Sequence, residues 1–185
     1  MRKLKLQMQI SIDGYVAGPN GEMDWMVWNW DDEIKQYVSQ LTDSIDTIVL
    51  GRKMTEGFIN YWESVVADKP DSEEFPFANL MVNTPKYVFS KTLQSVPGKN
   101  VTVENSDLTE VINELKKRDG KDIIVYGGAG FVSSLIDNKL IDEFHLFVNP
   151  TAIGKGLKIF NSISSLKLAE VKAFPCGITL LKYIS

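Results

Sequence analysis

Apolar positions in this chain alternate between short consecutive runs and a spacing of three and four, and that change of period is the first guide to its architecture. Ile123, Ile124, Val125 and Tyr126 form a continuous run suited to a strand buried on both faces, and Phe131, Leu135 and Ile136 beyond them recur at helical spacing. The same reading predicts a strand near 4–12, a long loop through Trp30, and a helix over 31–43 with Ile34, Tyr37, Val38 and Leu41 on one face. A strand at 45–50, a short helix at 52–60, an acidic irregular stretch to about 74, a helix at 75–82 and a strand at 86–90 follow. Val101–Val103 reads as a short strand, Leu108, Val111, Ile112 and Leu115 as a helix, and Glu143–Asn149 as a strand. Leu166–Phe174 and Ile178–Ile184 flank Pro175-Cys176-Gly177 as an antiparallel hairpin. Strands alternating with helices imply an α/β fold with three layers, α/β/α, around a mostly parallel sheet with an antiparallel C-terminal edge.

Three predicted strands end in residues with chemistry. The run 123–126 leads into Gly127-Gly128-Ala129-Gly130 at a strand-to-helix turn, where free helix amides and the missing Cβ let a phosphate approach the backbone. A glycine pair also serves a tight turn with no ligand. Ile48-Val49-Leu50 leads into Gly51, Arg52, Lys53 and Met54, which puts two cations in a first helical turn, where the macrodipole disfavours them unless an anion is bound. Lys86–Phe89 ends in Ser90 and Lys91, a hydroxyl and an ammonium. Each is compatible with a solvated strand end; together they point to a shared nucleotide crevice.

The chain has 185 residues, 44% of them hydrophobic, enough for one well-buried domain spanning 1–185. A net charge of −4 argues against a general nucleic-acid or membrane-surface role. A single cysteine, Cys176, and a single histidine, His145, exclude an intrachain disulfide and disfavour a zinc site, so no metal is expected and a reducing cytoplasm fits. Polar Gln7, Gln9 and Asp13 interrupt the N-terminal apolar run, which reads as a strand and not as a signal or a membrane span.

Ser11-Ile-Asp-Gly-Tyr-Val-Ala-Gly18, Gly51-Arg-Lys-Met54, Val88-Phe-Ser-Lys91 and Tyr126-Gly-Gly-Ala-Gly-Phe131 occur in an order that resembles the dihydrofolate reductase-like superfamily, closest to the C-terminal reductase domain of bifunctional riboflavin-biosynthesis enzymes. The resemblance spans nearly the whole chain. It implies that Gly127, Gly128, Ala129 and Gly130 face a pyrophosphate, Arg52 and Lys53 the phosphates, and Ser90 and Lys91 the 2′-phosphate of NADPH. It places Ala17, Gly51, Met54, Tyr126 and Phe131 among the cofactor contacts and the loop Gly14–Trp28 over the nicotinamide. The residues agree on the cofactor, since an NAD-type site carries an acid about 20 residues past its glycines. Here the next strand ends in Phe147-Val-Asn-Pro150 with no acid.

The resemblance also marks Asp13 as a substrate contact, although Asp-Gly is equally a turn sequence. Glu33, with Asp32 beside it, falls on the helix where folate reductases carry a pterin-binding carboxylate, but consecutive acids at a helix N-terminus are also explained by capping and the dipole. Trp25 and Trp28 stack on a planar substrate or serve as loop anchors. His145 reads as a packed polar residue within an apolar strand, and Cys176 has no partner for a nucleophilic role. The zinc deaminase signature His-x-Glu with Pro-Cys-x-x-Cys is absent.

The expectation is an NADPH-dependent reductase acting on a small nitrogen heterocycle or ribosylated pyrimidine, working as a homodimer through an apolar sheet edge or face left by Ile141–Val148 and the C-terminal hairpin. The alternatives are dihydrofolate reductase activity or a binding module without chemistry. Dihydrofolate is disfavoured because Gly57–Pro85 has no arginine for a glutamate tail and carries five acids, Glu63, Asp68, Asp71, Glu73 and Glu74.

Overall fold

The computed structural model describes residues 1–185. Its elements are β1 (Leu4–Ser11), α1 (Asp32–Asp43), β2 (Ile45–Gly51), α2 (Arg52–Asp68), α3 (Phe75–Asn83), β3 (Lys86–Phe89) and β4 (Val101–Glu104). They continue with α4 (Leu108–Lys117), β5 (Asp122–Val125), α5 (Ala129–Asp137), β6 (Glu143–Asn149), β7 (Lys167–Ala173) and β8 (Thr179–Ile184). All eight strands join one sheet in the order β4-β3-β2-β5-β1-β6-β8-β7. The first six in that order run parallel, whereas β8 is antiparallel to both β6 and β7.

Alternation along β1 separates the layers. Leu4, Leu6, Met8 and Ile10 pack with Ile123 and Val125 of β5 against Val111, Ile112 and Leu115 of α4 and Val132, Leu135 and Ile136 of α5. The opposite face of the sheet packs on the other three helices. There Ile48, Leu50, Val88 and Ile124 meet Leu41 and Met81, while Phe147 and Leu180 meet Ile34 and Val38. The expected three layers are therefore present, with α1, α2 and α3 on one face and α4 and α5 on the other.

One element is longer than its sequence reading. Helix α2 continues to Asp68 instead of ending near residue 60. Phe58, Ile59, Trp62 and Val65 keep helical spacing through that interval; Val65 is fully buried and Trp62 packs on the α2-side core. Asn60, Tyr61 and Ser64 between them are exposed, and their polarity masked the period.

Candidate active site

The parallel strands place the ends of β1, β2, β3, β5 and β6 along one rim of the sheet. Strand β1 pairs with β5 only over Leu4–Leu6 and Ile123–Val125, but with β6 as far as Ser11 and Asn149. Beyond Leu6 and Val125 the sheet therefore opens between β1 and the segment Tyr126-Gly127-Gly128. Such a parting beside strand ends is where open α/β sheets bind ligands.

The glycines around this crevice divide by role. Gly51 is required by packing, because a Cβ there would lie 2.5 Å from Cβ of Phe131, whose ring stacks on Phe89 at 5.3 Å. Gly127 has φ +147°, and an added Cβ would meet Met54 Sδ at 2.8 Å. Gly128 and Gly130 have no such reason to be glycine. A Cβ on Gly128 would come no closer than 3.9 Å to Met54, and one on Gly130 would meet nothing within 4 Å. The backbone there is bare and open, a cradle that fits a pyrophosphate.

Two helices begin at this rim, and neither is capped by a side chain. Gly51 caps α2 and Gly128 caps α5, with no acid in either first turn. By contrast α1 and α4 are capped by Asp31 and Asp107 and carry acids in their first turns. Arg52 extends to Thr92 Oγ1 at 3.1 Å, and Arg52 and Lys53 remain exposed. Ser90 is buried, and its hydroxyl accepts hydrogen bonds from the amides of Thr92 and Leu93 at 3.2 and 3.0 Å, so it shapes the turn after β3. Lys91 lies exposed beside it and donates weakly to the carbonyls of Asn105 and Ser106 at 3.4 and 3.3 Å.

Of the three acids singled out by sequence, Asp13 and Glu33 have partners within the chain and Asp32 faces solvent. Asp13 accepts from the amides of Gly154 at 2.7 Å and Ile153 at 3.1 Å and from the hydroxyl of Ser11 at 2.6 Å. The Ser11 hydroxyl, followed by the two amides, holds this carboxyl below its ordinary range. Its role in this geometry is a clasp between the loops after β1 and β6. The same junction carries the Ala17–Leu157 bridge, and a Cβ on Gly156 would strike the Ala17 carbonyl at 2.1 Å. Glu33 is exposed and pairs with Lys172 at 3.1 Å, on the hairpin side of α1. Asp32 is exposed at the start of the helix; Asp31 caps it and also accepts from the Cys176 amide at 2.8 Å.

The tryptophan loop is tied to the rim by a residue that sequence reasoning passed over. Asn149, fully buried, accepts from the Val27 amide at 2.8 Å and donates to Gln9 Oε1 at 2.7 Å. Trp30 stacks on Phe147, whereas Trp28 is 60% exposed and Trp25 donates to the Glu22 carbonyl at 3.1 Å. Lower on the α1 face, the Tyr37 hydroxyl meets His145 Nδ1 at 2.8 Å and His145 Nε2 meets Glu143 at 3.3 Å. Burial first, then Lys182, lowers the His145 pKa to about 4. Burial alone would raise Glu143, but its hydrogen bond from Lys3 and the charges of Lys182, Lys3 and Lys5 hold it at about 2. His145 is thus the packed polar residue its strand context implied. The structure contains no group of three or more metal-ligating side chains. No helix is long and apolar enough to cross a membrane.

Comparison with known proteins agrees with this architecture. Residues 2–180 match the RibD C-terminal domain. The chain is 32% identical over 187 residues to the uncharacterized protein YyaP of Bacillus subtilis, covering 98% of this chain and 94% of that protein. It is 28% identical over 182 residues to YwjB of the same organism, covering 97% and 96%. A pyrimidine reductase-like protein from Corynebacterium diphtheriae superposes with TM-score 0.62 at 18% identity, over 99% of this chain and 91% of that one. A Thermotoga maritima diaminohydroxyphosphoribosylaminopyrimidine deaminase/5-amino-6-(5-phosphoribosylamino)uracil reductase gives 0.65 at 19% identity, over 99% of this chain and 56% of the longer protein. At these identities the two structures speak to the fold, and the sequence match decides the family: the chain belongs to the RibD C-terminal domain family, with a dihydrofolate reductase-like fold.

Proposed function

We propose that the protein is an NADPH-dependent reductase acting on a small nitrogen heterocycle or ribosylated pyrimidine in the crevice between β1 and β5. The observation that carries this reading is the bare backbone of Gly128 and Gly130 beneath the uncapped N-terminus of α5, with a second uncapped helix beginning at Arg52. Packing gives no reason for glycine at either position, and a dinucleotide pyrophosphate supplies one. NADPH bound there supplies the hydride. The chain's own work is to hold phosphate through the α5 amides, Arg52, Lys53 and Lys91, to align the rings, and to exclude water beneath the loop pinned by Asn149. Asp13, Asp32 and Glu33 are then structural or solvent-facing groups.

The sheet face opposite α1 carries Leu181, Tyr183, Leu168 and Val171 on β8 and β7 with no helix above them, beside a groove of about 480 Å³ lined by Ile10, Leu146, Val148 and Phe160. A second copy of the chain is the occupant we assign to it, which makes the protein a homodimer. Sedimentation showing a monomer at micromolar concentration removes this assignment.

Titration of NADPH and NADH against the wild type and Arg52→Ala tests the cofactor reading. Preference for NADPH is expected, with a loss of about ten- to a hundred-fold in the variant, the worth of one charge-assisted phosphate contact. Equal wild-type affinity for the two cofactors refutes the phosphate assignment. A second reading, a binding module without turnover, is favoured by the engagement of Asp13 and Glu33 within the chain and the exposure of Asp32. Tight NADPH binding with no oxidation over a panel of heterocycles supports that reading instead.

A further inference from the structure

The amide that ties down the tryptophan loop has its orientation fixed by the backbone, and it passes that orientation to one further side chain. A backbone N–H only donates, so the Val27 amide at 2.8 Å makes Oδ1 of Asn149 the acceptor. Asn149 Nδ2 is then a donor, to the Phe147 carbonyl at 3.2 Å and to Gln9 at 2.7 Å. Both of its N–H groups are used and Asn149 is fully buried, so Gln9 meets it through Oε1. The N–H2 of Gln9 therefore faces away from Asn149. Nothing in the chain accepts from it, and it is not among the buried unpaired polar atoms. Gln9 is the one residue of β1 that is not buried.

Gln9 stands where β1 has lost β5 as a neighbour and is still paired with Phe147 of β6. The order of strands decides what reaches it. Lys91 follows β3, Arg52 and Lys53 follow β2, the open glycines follow β5, and the next strand across the sheet is β1. A dinucleotide with its adenosine phosphate at the first two and its pyrophosphate on the third sends its nicotinamide half toward β1, beneath the loop that carries Val27. The ring's substituent is an uncharged carboxamide, with an acceptor on one side and a donor on the other, free to turn about its bond to the ring. A side-chain donor of fixed sense stops that rotation. Resting on the cofactor reading, we propose that Gln9 donates to the carbonyl oxygen of the nicotinamide carboxamide, and that Asn149 is a positioning residue that sets the sense of this donor.

Calorimetric titration with three probes tests this: NADPH, its reduced 3-acetylpyridine analogue, which keeps the carbonyl but has a methyl in place of the amide nitrogen, and adenosine 2′,5′-bisphosphate, which has no nicotinamide. The wild type is expected to bind NADPH and the analogue alike. Gln9→Leu should weaken both about fivefold or more and leave the bisphosphate unchanged. Asn149→Asp still accepts from Val27 but no longer donates to Gln9, so the Gln9 amide turns over and presents its oxygen. Gln9→Glu presents an acceptor directly, at a part-exposed position, and does not depend on Asn149→Asp folding. In both variants NADPH turns its carboxamide to match, whereas the analogue has no N–H to offer and should fall about tenfold behind NADPH. Adding Gln9→Leu to Asn149→Asp should abolish that discrimination, because Asn149 acts through Gln9. Unchanged NADPH affinity in Gln9→Leu, or equal binding of NADPH and the analogue in Gln9→Glu, overturns this assignment alone. Loss of the bisphosphate alongside NADPH in Gln9→Leu marks a purely structural role and also overturns it. A wild type that binds no NADPH brings down the cofactor reading and this assignment with it.

Discussion

Gly130→Ala separates binding from folding at the crevice with a single methyl group. Gly130 lies inside α5, and the added Cβ meets nothing within 4 Å. Alanine in a helix is more stable than glycine by roughly 0.5–1 kcal/mol, so the unliganded variant should gain about that much. In a chain of this length that is a rise of about 1–4 °C in unfolding temperature. Gly127→Ala is the contrasting control. Its φ of +147° and the 2.8 Å approach to Met54 Sδ make any side chain there strained, and a loss of about 1–3 kcal/mol is expected. If phosphate approaches the backbone at the start of α5, the new methyl of Gly130→Ala obstructs it. The loss of one charge-assisted contact then weakens NADPH by about ten- to a hundred-fold. Thermal unfolding and NADPH fluorescence titration on the same protein give both numbers. A stabilised variant that binds NADPH like the wild type refutes the pyrophosphate assignment. A destabilised one shows instead that glycine serves the fold.

His145 makes stability pH-dependent in a defined window: its pKa is about 4 in the folded protein against 6.5 unfolded, so the unfolded chain binds the extra proton between those values and stability falls as pH drops from 6.5 to 4. The full difference corresponds to about 3 kcal/mol; urea unfolding of His145→Gln should lose most of this slope, and an unchanged slope refutes the assignment. Glu143 adds its own loss lower down, from its ordinary value of 4.5 toward about 2. Asp13→Ala should release the loop clasp, seen as faster hydrogen exchange at the Ile153 and Gly154 amides, and retained protection there argues against the clasp. Dihydrofolate should be a poor substrate, because Arg2 is held by Asp46, Thr47 and the Lys121 carbonyl and Arg118 by Tyr87, leaving Arg52 at the phosphate rim; kcat/KM for dihydrofolate above that for tail-less heterocycles refutes this.

Much of the fold is legible in local periodicity because each element's pattern is confined to neighbours along the chain. The consecutive apolar run before Gly127 and the three-and-four spacing of Ile34, Val38 and Leu41 are complete within their own segments, and both elements stand where that spacing puts them. The glycines and cations at the strand ends were visible for the same reason. Which glycine serves packing and which leaves space was not, since Gly51 meets Phe131 and Gly127 meets Met54 only once the strands are aligned. The acids are ambiguous in sequence because capping, ion pairing and catalysis use the same carboxylate. The pairing of Asp13 with Gly154, 141 residues away, and of Glu33 with Lys172 is visible only in the fold. Asn149 carries no motif at all. Its polarity acquires meaning from the end of β6 meeting β1 and the tryptophan loop, a relation between segments more than a hundred residues apart that no local pattern encodes.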